Sequence, residues 1–301
     1  MIVLGVGAFL GAPGMRGEGT MGDGRITIAC VQHCAGLDVD ANLRTLARLI
    51  EQAAARGAEV VCLSEYCAAY GMTNGRLAVG AKPEGDHDAL PSLTEQARRH
   101  QCWLLIGSIG VLAGDGRILN RSYLVDPAGA IQARYDKIHL FDVDLAGGES
   151  YRESSTIQPG ETAVVVAAPF GCLGLSVCYD LRFPQLYRRL AKAGAAVLFV
   201  PAAFTRTTGQ AHWHVLLRAR AIETGAFIVA PSQCGEAPDG KLARYGHSLI
   251  VDPWGDVLAD GGETEGVIMA EIDLSRVTEA RRMVPALQHD RVFELHTVTA
   301  D

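Results

Sequence analysis

The stretch that decides the fold is Gly171-Cys-Leu-Gly-Leu-Ser-Val-Cys-Tyr-Asp-Leu-Arg-Phe-Pro184. Its first half, 172–177, is small, apolar and partly β-branched, which predicts a buried strand. Asp180 and Pro184 are typical of the start of a helix. Cys178 is therefore expected on a strand-to-helix turn, where free N–H groups favour a thiolate or an oxyanion. The alternative is a core cysteine, which is the usual place of a free thiol.

Two charged residues also follow predicted strands. Glu65 comes after the apolar strand 59–63, and Lys137 comes after the alternating strand 130–135. In α/β proteins, catalytic and binding residues are often found at strand ends, because a rigid sheet holds the loops there. Each charge alone would more often be a solvated loop side chain, because most charged residues are exposed. The shared placement of Glu65, Lys137 and Cys178 favours one common site.

A thiol, a carboxylate and an ammonium group together can hydrolyse an amide. Cys178 would attack the carbonyl while Glu65 takes its proton, passes it to the leaving amine, and then activates water against the thioester. Lys137 and the backbone N–H of Tyr179 would stabilise the oxyanion. The residues thus predict a hydrolase that works through a covalent thioester.

Longer motifs resemble the nitrilase (carbon–nitrogen hydrolase) superfamily over about residues 26–293. They are Leu63-Ser-Glu-Tyr-Cys67, Tyr135-Asp-Lys-Ile-His-Leu-Phe-Asp142, Ser150-Tyr-Arg-Glu-Ser154, Ser176-Val-Cys-Tyr-Asp-Leu-Arg-Phe-Pro184, Ala211-His-Trp-His-Val-Leu-Leu-Arg-Ala-Arg-Ala-Ile-Glu223, Tyr245-Gly-His-Ser-Leu-Ile-Val-Asp-Pro-Trp-Gly255 and Val284-Pro-Ala-Leu-Gln-His289. By this resemblance, Glu65 is the general base, Lys137 the oxyanion partner and Cys178 the nucleophile. Glu153 matches a second glutamate that the family places near the lysine and the substrate.

The resemblance also implies an α/β fold, the four-layer α-β-β-α sandwich of this superfamily. Its subunits commonly pair through helices, so a homodimer or higher homo-oligomer is expected. The helix after Thr207 and the tail from Arg281 to Leu295 are the expected interface elements. The alternative is that both segments simply cover their own sheet.

The residues after the nucleophile are similar to the amidase-like branch of the superfamily. Nitrilases usually have Cys-Trp-Glu there and N-carbamoyl amidohydrolases Cys-Asn-Asp-Arg-Arg, whereas this chain has Cys178-Tyr-Asp. The blocks 207–223 and 245–255 are most similar to the deaminated-glutathione amidase group, with the omega-amidase group as nearest relative. The resemblance implies a small amide substrate that carries carboxylates. A carbamoylase or nitrilase with an altered motif, or an inactive scaffold protein on the same fold, remain alternatives.

A substrate carboxylate needs a positive partner, and Arg182 is the candidate because a guanidinium group matches a carboxylate in two hydrogen bonds. An intramolecular salt bridge to Asp180 or to another acid is the alternative. Phe204 and Thr205 follow the predicted strand 196–200 and are expected to line the pocket, although packing in the core or loop would suit them as well.

The composition is that of a globular enzyme, with 49% hydrophobic residues among 301 and a net charge of −7. The negative charge argues against nucleic acid or an anionic membrane as the main partner. The sequence contains no run of about 18 or more apolar residues, so no membrane span is predicted. The eight cysteines form no Cys-x-x-Cys motif, which favours reduced thiols in a cytoplasmic setting.

Neither a metal nor a cofactor is expected. His212 and His214 flank Trp213, and residues two apart on a helix do not share a face. Gly5-Val-Gly-Ala-Phe-Leu-Gly11 is a near match to a dinucleotide fingerprint, but Pro13 opposes the helix that should follow.

The chain is predicted to hold a flexible N-terminal extension, residues 1–24, and one hydrolase domain, residues 25–301. Helices are expected near 40–55, 90–101, 184–193 and 211–225. After a first strand at 26–31, strands are expected near 59–63, 103–108, 121–125, 130–135, 162–167, 172–177, 196–200, 226–230, 248–252 and 267–272.

Overall fold

The computed structural model describes residues 24–74, 76–145, 148, 150–236 and 243–299. The predicted flexible extension, residues 1–24, lies outside the described residues except for Gly24. The single domain over 25–301 stays a prediction. No helix within the described ranges combines the length and the apolar character that crossing a membrane requires.

Five α-helices are distributed among many strands along the described part of the chain. The strands are β1 (Arg25–Gln32), β2 (Val60–Cys62), β3 (Gly71–Thr73), β4 (Arg76–Ala78), β5 (Trp103–Leu112), β6 (Ile118–Val125), β7 (Ile131–Asp136), β8 (Asp142–Asp144), β9 (Ser150–Arg152), β10 (Ile157–Gln158), β11 (Val164–Ala168), β12 (Gly171–Leu175), β13 (Val197–Phe199), β14 (Phe227–Ala230), β15 (Cys234–Glu236), β16 (Ala243–Tyr245), β17 (Leu249–Val251), β18 (Val257–Asp260) and β19 (Gly266–Asp273). The α-helices are α1 (Val39–Ala55), α2 (Ala89–His100), α3 (Pro184–Lys192), α4 (Arg206–Thr224) and α5 (Ser275–Met283). Short 3₁₀ turns lie at Glu84–Asp86, Glu153–Ser155, Cys178–Arg182 and Ala286–Gln288.

Two mixed sheets form the centre of the fold. The larger sheet has the order β10-β6-β5-β2-β1-β19, with β7 also paired to β6. The smaller sheet has the order β11-β12-β13-β14-β17-β18. In each sheet three strands run parallel, β1-β2-β5 in the first and β12-β13-β14 in the second. The loops at the ends of β2 and β12 are those that carry Glu65 and Cys178.

Alternating side chains of β1 show how the layers stack. Ile28 belongs to the core that also holds Leu175 of the second sheet, while Ala29 packs with Leu46 of α1 on the opposite face. Helices α3 and α4 contribute side chains such as Trp213 to the core around the second sheet. The layers are therefore α-β-β-α, which confirms the predicted sandwich.

The elements that the sequence analysis placed wrongly or missed are short or polar. Helix α4 begins at Arg206 rather than at the predicted Ala211, because the Thr205 hydroxyl accepts the backbone N–H of Thr208 at 3.4 Å and so caps the helix. Helix α5 and the hairpins β3–β4, β8–β9 and β15–β16 were not predicted. Three-residue strands are too short to show an alternating pattern.

Candidate active site

The three residues predicted to converge do so inside the fold. Lys137 Nζ lies 2.9 Å from Glu65 Oε1, and the Cys178 thiol is in hydrogen-bonding contact with the Glu65 carboxylate. Glu65 and Lys137 are 2% exposed and Cys178 is 7% exposed. Sulfur, carboxylate and ammonium therefore share one buried point at the ends of β2, β7 and β12.

Glu65 is held by donors from both sheets. Its Oε1 accepts Asn120 Nδ2 at 2.9 Å as well as Lys137, and its Oε2 accepts the backbone N–H of Ala203 at 2.9 Å. The loop that carries Glu65 also packs directly on β5. A Cβ at Gly107 would lie 2.0 Å from the carbonyl oxygen of Leu63, so only glycine lets the two backbones approach this closely. The carboxylate thus has a fixed orientation.

Cys178 sits on a strained turn, with a backbone φ of +50°. Its N–H donates to the carbonyl of Pro201 at 2.9 Å. Asp180 secures the turn, because its Oδ2 accepts the N–H of Val177 at 2.9 Å and the hydroxyl of Tyr135 at 2.6 Å. Asp180 thereby joins the Cys178 turn to β7, the strand that precedes Lys137.

Glu153 lies on the other side of Lys137. Its Oε2 accepts Lys137 Nζ at 2.8 Å and the backbone N–H of Phe141 at 2.7 Å, and its Oε1 accepts the hydroxyl of Tyr66 at 3.0 Å. Burial alone would lower the pKa of Lys137, but the charges of Glu153 and Glu65 outweigh it and raise that pKa well above its usual value. Lys137 is therefore an ammonium group, which cannot act as a base.

The surroundings of Cys178 keep its side chain neutral, whereas those of Lys137 keep it charged. Burial raises the pKa of its thiol well above the usual value, and the negative charge of Glu65 raises it further, against the smaller opposing effect of Lys137. The thiol is thus protonated at neutral pH. It can become a nucleophile only if a neighbouring base takes its proton during attack, and the Glu65 carboxylate is in contact with it.

A cavity of about 420 Å³ opens onto these groups. Its lining includes all three, together with the predicted residues Glu153, Tyr179, Phe204 and Thr205.

Arg182 is not among the described residues that line the cavity, but it packs against two that do. The carbon of its guanidinium group is 5.7 Å from the ring centre of Tyr179 and 5.4 Å from that of Phe204. Its nitrogen atoms lie 3.3 Å from His212 Nδ1. Among the described residues Arg182 forms no salt bridge to Asp180 or to another acid, and Asp180 pairs with His139 and Tyr135 instead.

Sequence reasoning missed two kinds of residue at this site. Asn120 donates to Glu65 Oε1 at 2.9 Å and to Glu153 Oε1 at 3.4 Å, so it bridges the two carboxylates. Its strand β6 also holds Arg121 and Ser122, so the polarity of Asn120 gave no distinguishing signal in the sequence. Arg76 and Arg152 line the cavity from the hairpins β3–β4 and β8–β9. Such short hairpins gave no signal in the sequence.

The two arginines differ in their partners. Arg152 forms a two-point pair with Asp144 at 2.8 Å. Arg76 is an exposed residue on the cavity lining, and its side chain forms no hydrogen bond or ion pair with another described residue.

The sequence matches the model of the carbon-nitrogen hydrolase family over residues 27–282. The chain belongs to this family. It is 42% identical over 274 residues to the deaminated glutathione amidase of a Synechocystis species, and the match covers 88% of this chain and 97% of the relative. The predicted family and the predicted enzyme class, a carbon–nitrogen hydrolase of the amidase type, are thereby confirmed.

Solved structures show the same relationship. The NitFhit protein of Caenorhabditis elegans superposes with a TM-score of 0.82 at 38% identity, over 90% of this chain and 66% of that chain. A variant of the amidase from Nesterenkonia sp. AN1 superposes with a TM-score of 0.72 at 26% identity, over 88% of this chain and 97% of that chain. That protein carries the acetamide moiety of fluoroacetamide covalently on its active site cysteine.

The electrostatics of the site predict how the thiol titrates. Glu65→Gln removes the negative charge that raises the pKa of Cys178 and leaves the positive Lys137 in place, so we expect the thiol to ionise at lower pH than in the wild type. The pKa is measured by following thiolate absorbance as a function of pH. For the wild type and for Glu65→Gln, the absorbance of the same protein with Cys178→Ser is subtracted, which leaves the signal of Cys178. An unchanged or higher pKa in the variant would contradict the arrangement.

Proposed function

We propose that this enzyme hydrolyses the amide bond of a small, carboxylate-bearing amide. Deaminated glutathione is the first candidate substrate, and a 2-oxo acid omega-amide is the second. The observation that carries the proposal is the protonated Cys178 thiol against the Glu65 carboxylate, beside the Lys137 ammonium in a buried cavity. The relative at 42% identity that is named deaminated glutathione amidase supports the first substrate.

The mechanism follows from the charge state of each group. Cys178 Sγ bonds to the amide carbon while its proton passes to Glu65. The carbonyl oxygen becomes an oxyanion beside Lys137 and the N–H of Tyr179. When the C–N bond breaks, Glu65 returns the proton to the leaving amine and a thioester remains. Glu65 then takes a proton from water, whose oxygen attacks the thioester and releases the acid and the thiol.

The second glutamate, Glu153, allows Glu65 and Lys137 to have separate roles in this mechanism. Glu153 shares the charge of Lys137, with Nζ at 2.8 Å from Oε2 and 3.1 Å from Oε1. One carboxylate can therefore accept a proton while the other still holds the ammonium group in place. Glu65 acts as the base and Lys137 supplies positive charge to the oxyanion.

Two cationic groups are candidates for binding the substrate carboxylates. Arg182 stays the candidate next to the nucleophile, over the rings of Tyr179 and Phe204. Arg76 lies on the lining with no described anionic partner, and a substrate carboxylate would supply one. An extended substrate such as deaminated glutathione has a carboxylate at each end.

A substrate panel tests this function. We expect kcat/KM to be highest for deaminated glutathione, followed by 2-oxoglutaramate, and lower for glutamine and a simple aliphatic amide, with Cys178→Ser inactive on all four. A tenfold preference corresponds to ~1.4 kcal/mol of transition-state binding. Turnover of a nitrile or an N-carbamoyl amino acid without amide hydrolysis would favour the alternative branches. A chain that turns over none of these substrates would support the inactive scaffold.

Arginine variants test the carboxylate sites. Arg182→Ala and Arg76→Ala should each lower kcat/KM for carboxylate-bearing amides by about tenfold or more, because a charged hydrogen-bond partner is lost, and should affect neutral amides less. Arg152→Ala is the matched control, since Arg152 lines the same cavity but is paired with Asp144. Equal losses on charged and neutral amides would argue against recognition by these arginines.

We also propose that the enzyme is a cytoplasmic homodimer. All eight cysteines are free thiols, which suits a reducing compartment. One face of α4 packs on the second sheet, while Val215 and Ile222 on the helix are 68% and 57% exposed. The tail adds the exposed Phe293 and Leu295. A second copy of this chain would cover these apolar side chains.

Sedimentation velocity tests the dimer. We expect the wild type to sediment as a dimer and the double variant Val215→Glu with Ile222→Glu to shift towards monomer, because it places charge in the proposed apolar contact. Gln210→Glu, an exposed change on the same helix, is the control and should leave the dimer intact. A monomeric wild type would be evidence against the proposal.

A further inference from the structure

A cluster of potential metal ligands lies outside the catalytic cavity. It consists of His214 on α4, His247 just after β16, and Asp260 at the end of β18. His214 Nε2 lies 3.1 Å from Asp260 Oδ2, and His247 Nδ1 lies 2.8 Å from Asp260 Oδ1. The three potential ligand atoms all lie within 4.8 Å of one another. We propose that these side chains bind a zinc ion.

The ligand set has the chemistry that zinc uses. Two imidazole nitrogens and one carboxylate oxygen leave the fourth tetrahedral position to water. Bonds of about 2.0–2.2 Å place neighbouring ligand atoms about 3.3 Å apart in a tetrahedron. The two histidine nitrogens lie 3.1 and 2.8 Å from different oxygens of the Asp260 carboxylate, and the three ligand atoms all lie within 4.8 Å of one another, so rotation of the side chains must bring them to that spacing.

The surroundings hold the ligands in place and leave them accessible. The ring of Tyr245 stacks on that of His247 with 4.4 Å between centres, and Trp213 Nε1 donates to the carbonyl of His247 at 2.7 Å. Asp260 Oδ1 accepts the backbone N–H of Gly262 at 2.9 Å. All three ligands are partly exposed, so an ion can enter from solvent.

The site adjoins the wall of the catalytic cavity without being part of it. The backbone N–H of Tyr245 donates to the carbonyl of Phe204 at 2.9 Å, and Phe204 lines the cavity. A bound ion would tie α4 to the ends of β16 and β18, so zinc is expected to raise the melting temperature.

The sequence analysis expected no metal because it compared His214 only with His212. In the fold His212 contacts Arg182 instead, and the partners of His214 come from residues 247 and 260, far along the chain. Sequence spacing alone does not show that residues so far apart along the chain lie next to one another in the fold.

Zinc binding to the Cys178→Ser protein tests the proposal, since that background removes the active-site thiol as a competing ligand. We expect one zinc ion per chain in competition with a chromophoric chelator, and a rise in melting temperature. His214→Gln and Asp260→Asn in the same background should each weaken zinc binding by about tenfold or more. His212→Gln, a change of the neighbouring histidine on the same helix, should leave the affinity unchanged.

Two further measurements check that the variants fold and which atoms bind the metal. Circular dichroism without metal shows whether each variant folds, and Asp260→Asn retains an oxygen acceptor for Gly262 if His214→Gln does not fold. Cobalt should give the visible bands of nitrogen and oxygen ligands without a thiolate charge-transfer band, which separates this site from a surface cysteine. Absence of saturable zinc binding, or equal affinity in Asp260→Asn and its parent, would overturn the proposal.

Discussion

The buried ammonium group of Lys137 is the constraint on which the site depends. A charge that is 2% exposed is tolerated only with partners, and Lys137 has two, Glu65 and Glu153. The three residues come from separate loops after β2, β7 and β9. Their charges can balance only if these loops meet, so the ion cluster fixes the relative position of the strands that carry the chemistry.

The same cluster sets the reactivity of Cys178. Burial, and after it the negative charge of Glu65, raise the pKa of the thiol more than Lys137 lowers it, so the thiol is held in its neutral form and depends on Glu65 for its activation. This differs from thiols that ionise beside a histidine. Asn120 and the N–H of Ala203 hold Glu65 against the thiol, so proton transfer needs no movement of the backbone.

Much of this arrangement was predictable from local patterns. Glu65 and Cys178 follow apolar strands, Lys137 follows an alternating strand, and family motifs surround all three. Asn120 and Arg76 were not found, because one lies within a strand and the other on a hairpin too short to show a period. Thr205 was expected to line the pocket or to pack in the core or loop, and it also caps α4, since capping depends on where the helix begins.

The sequence by itself determined the class of fold, the family and the identity of the reacting groups, because hydrophobic period and ordered motifs are local properties of a chain. Tertiary structure alone decided which groups share a charge, which arginines line the cavity, and which histidines meet at Asp260. Those relations join residues that are distant along the chain, and only the packing of two sheets and their helices sets the distances between them.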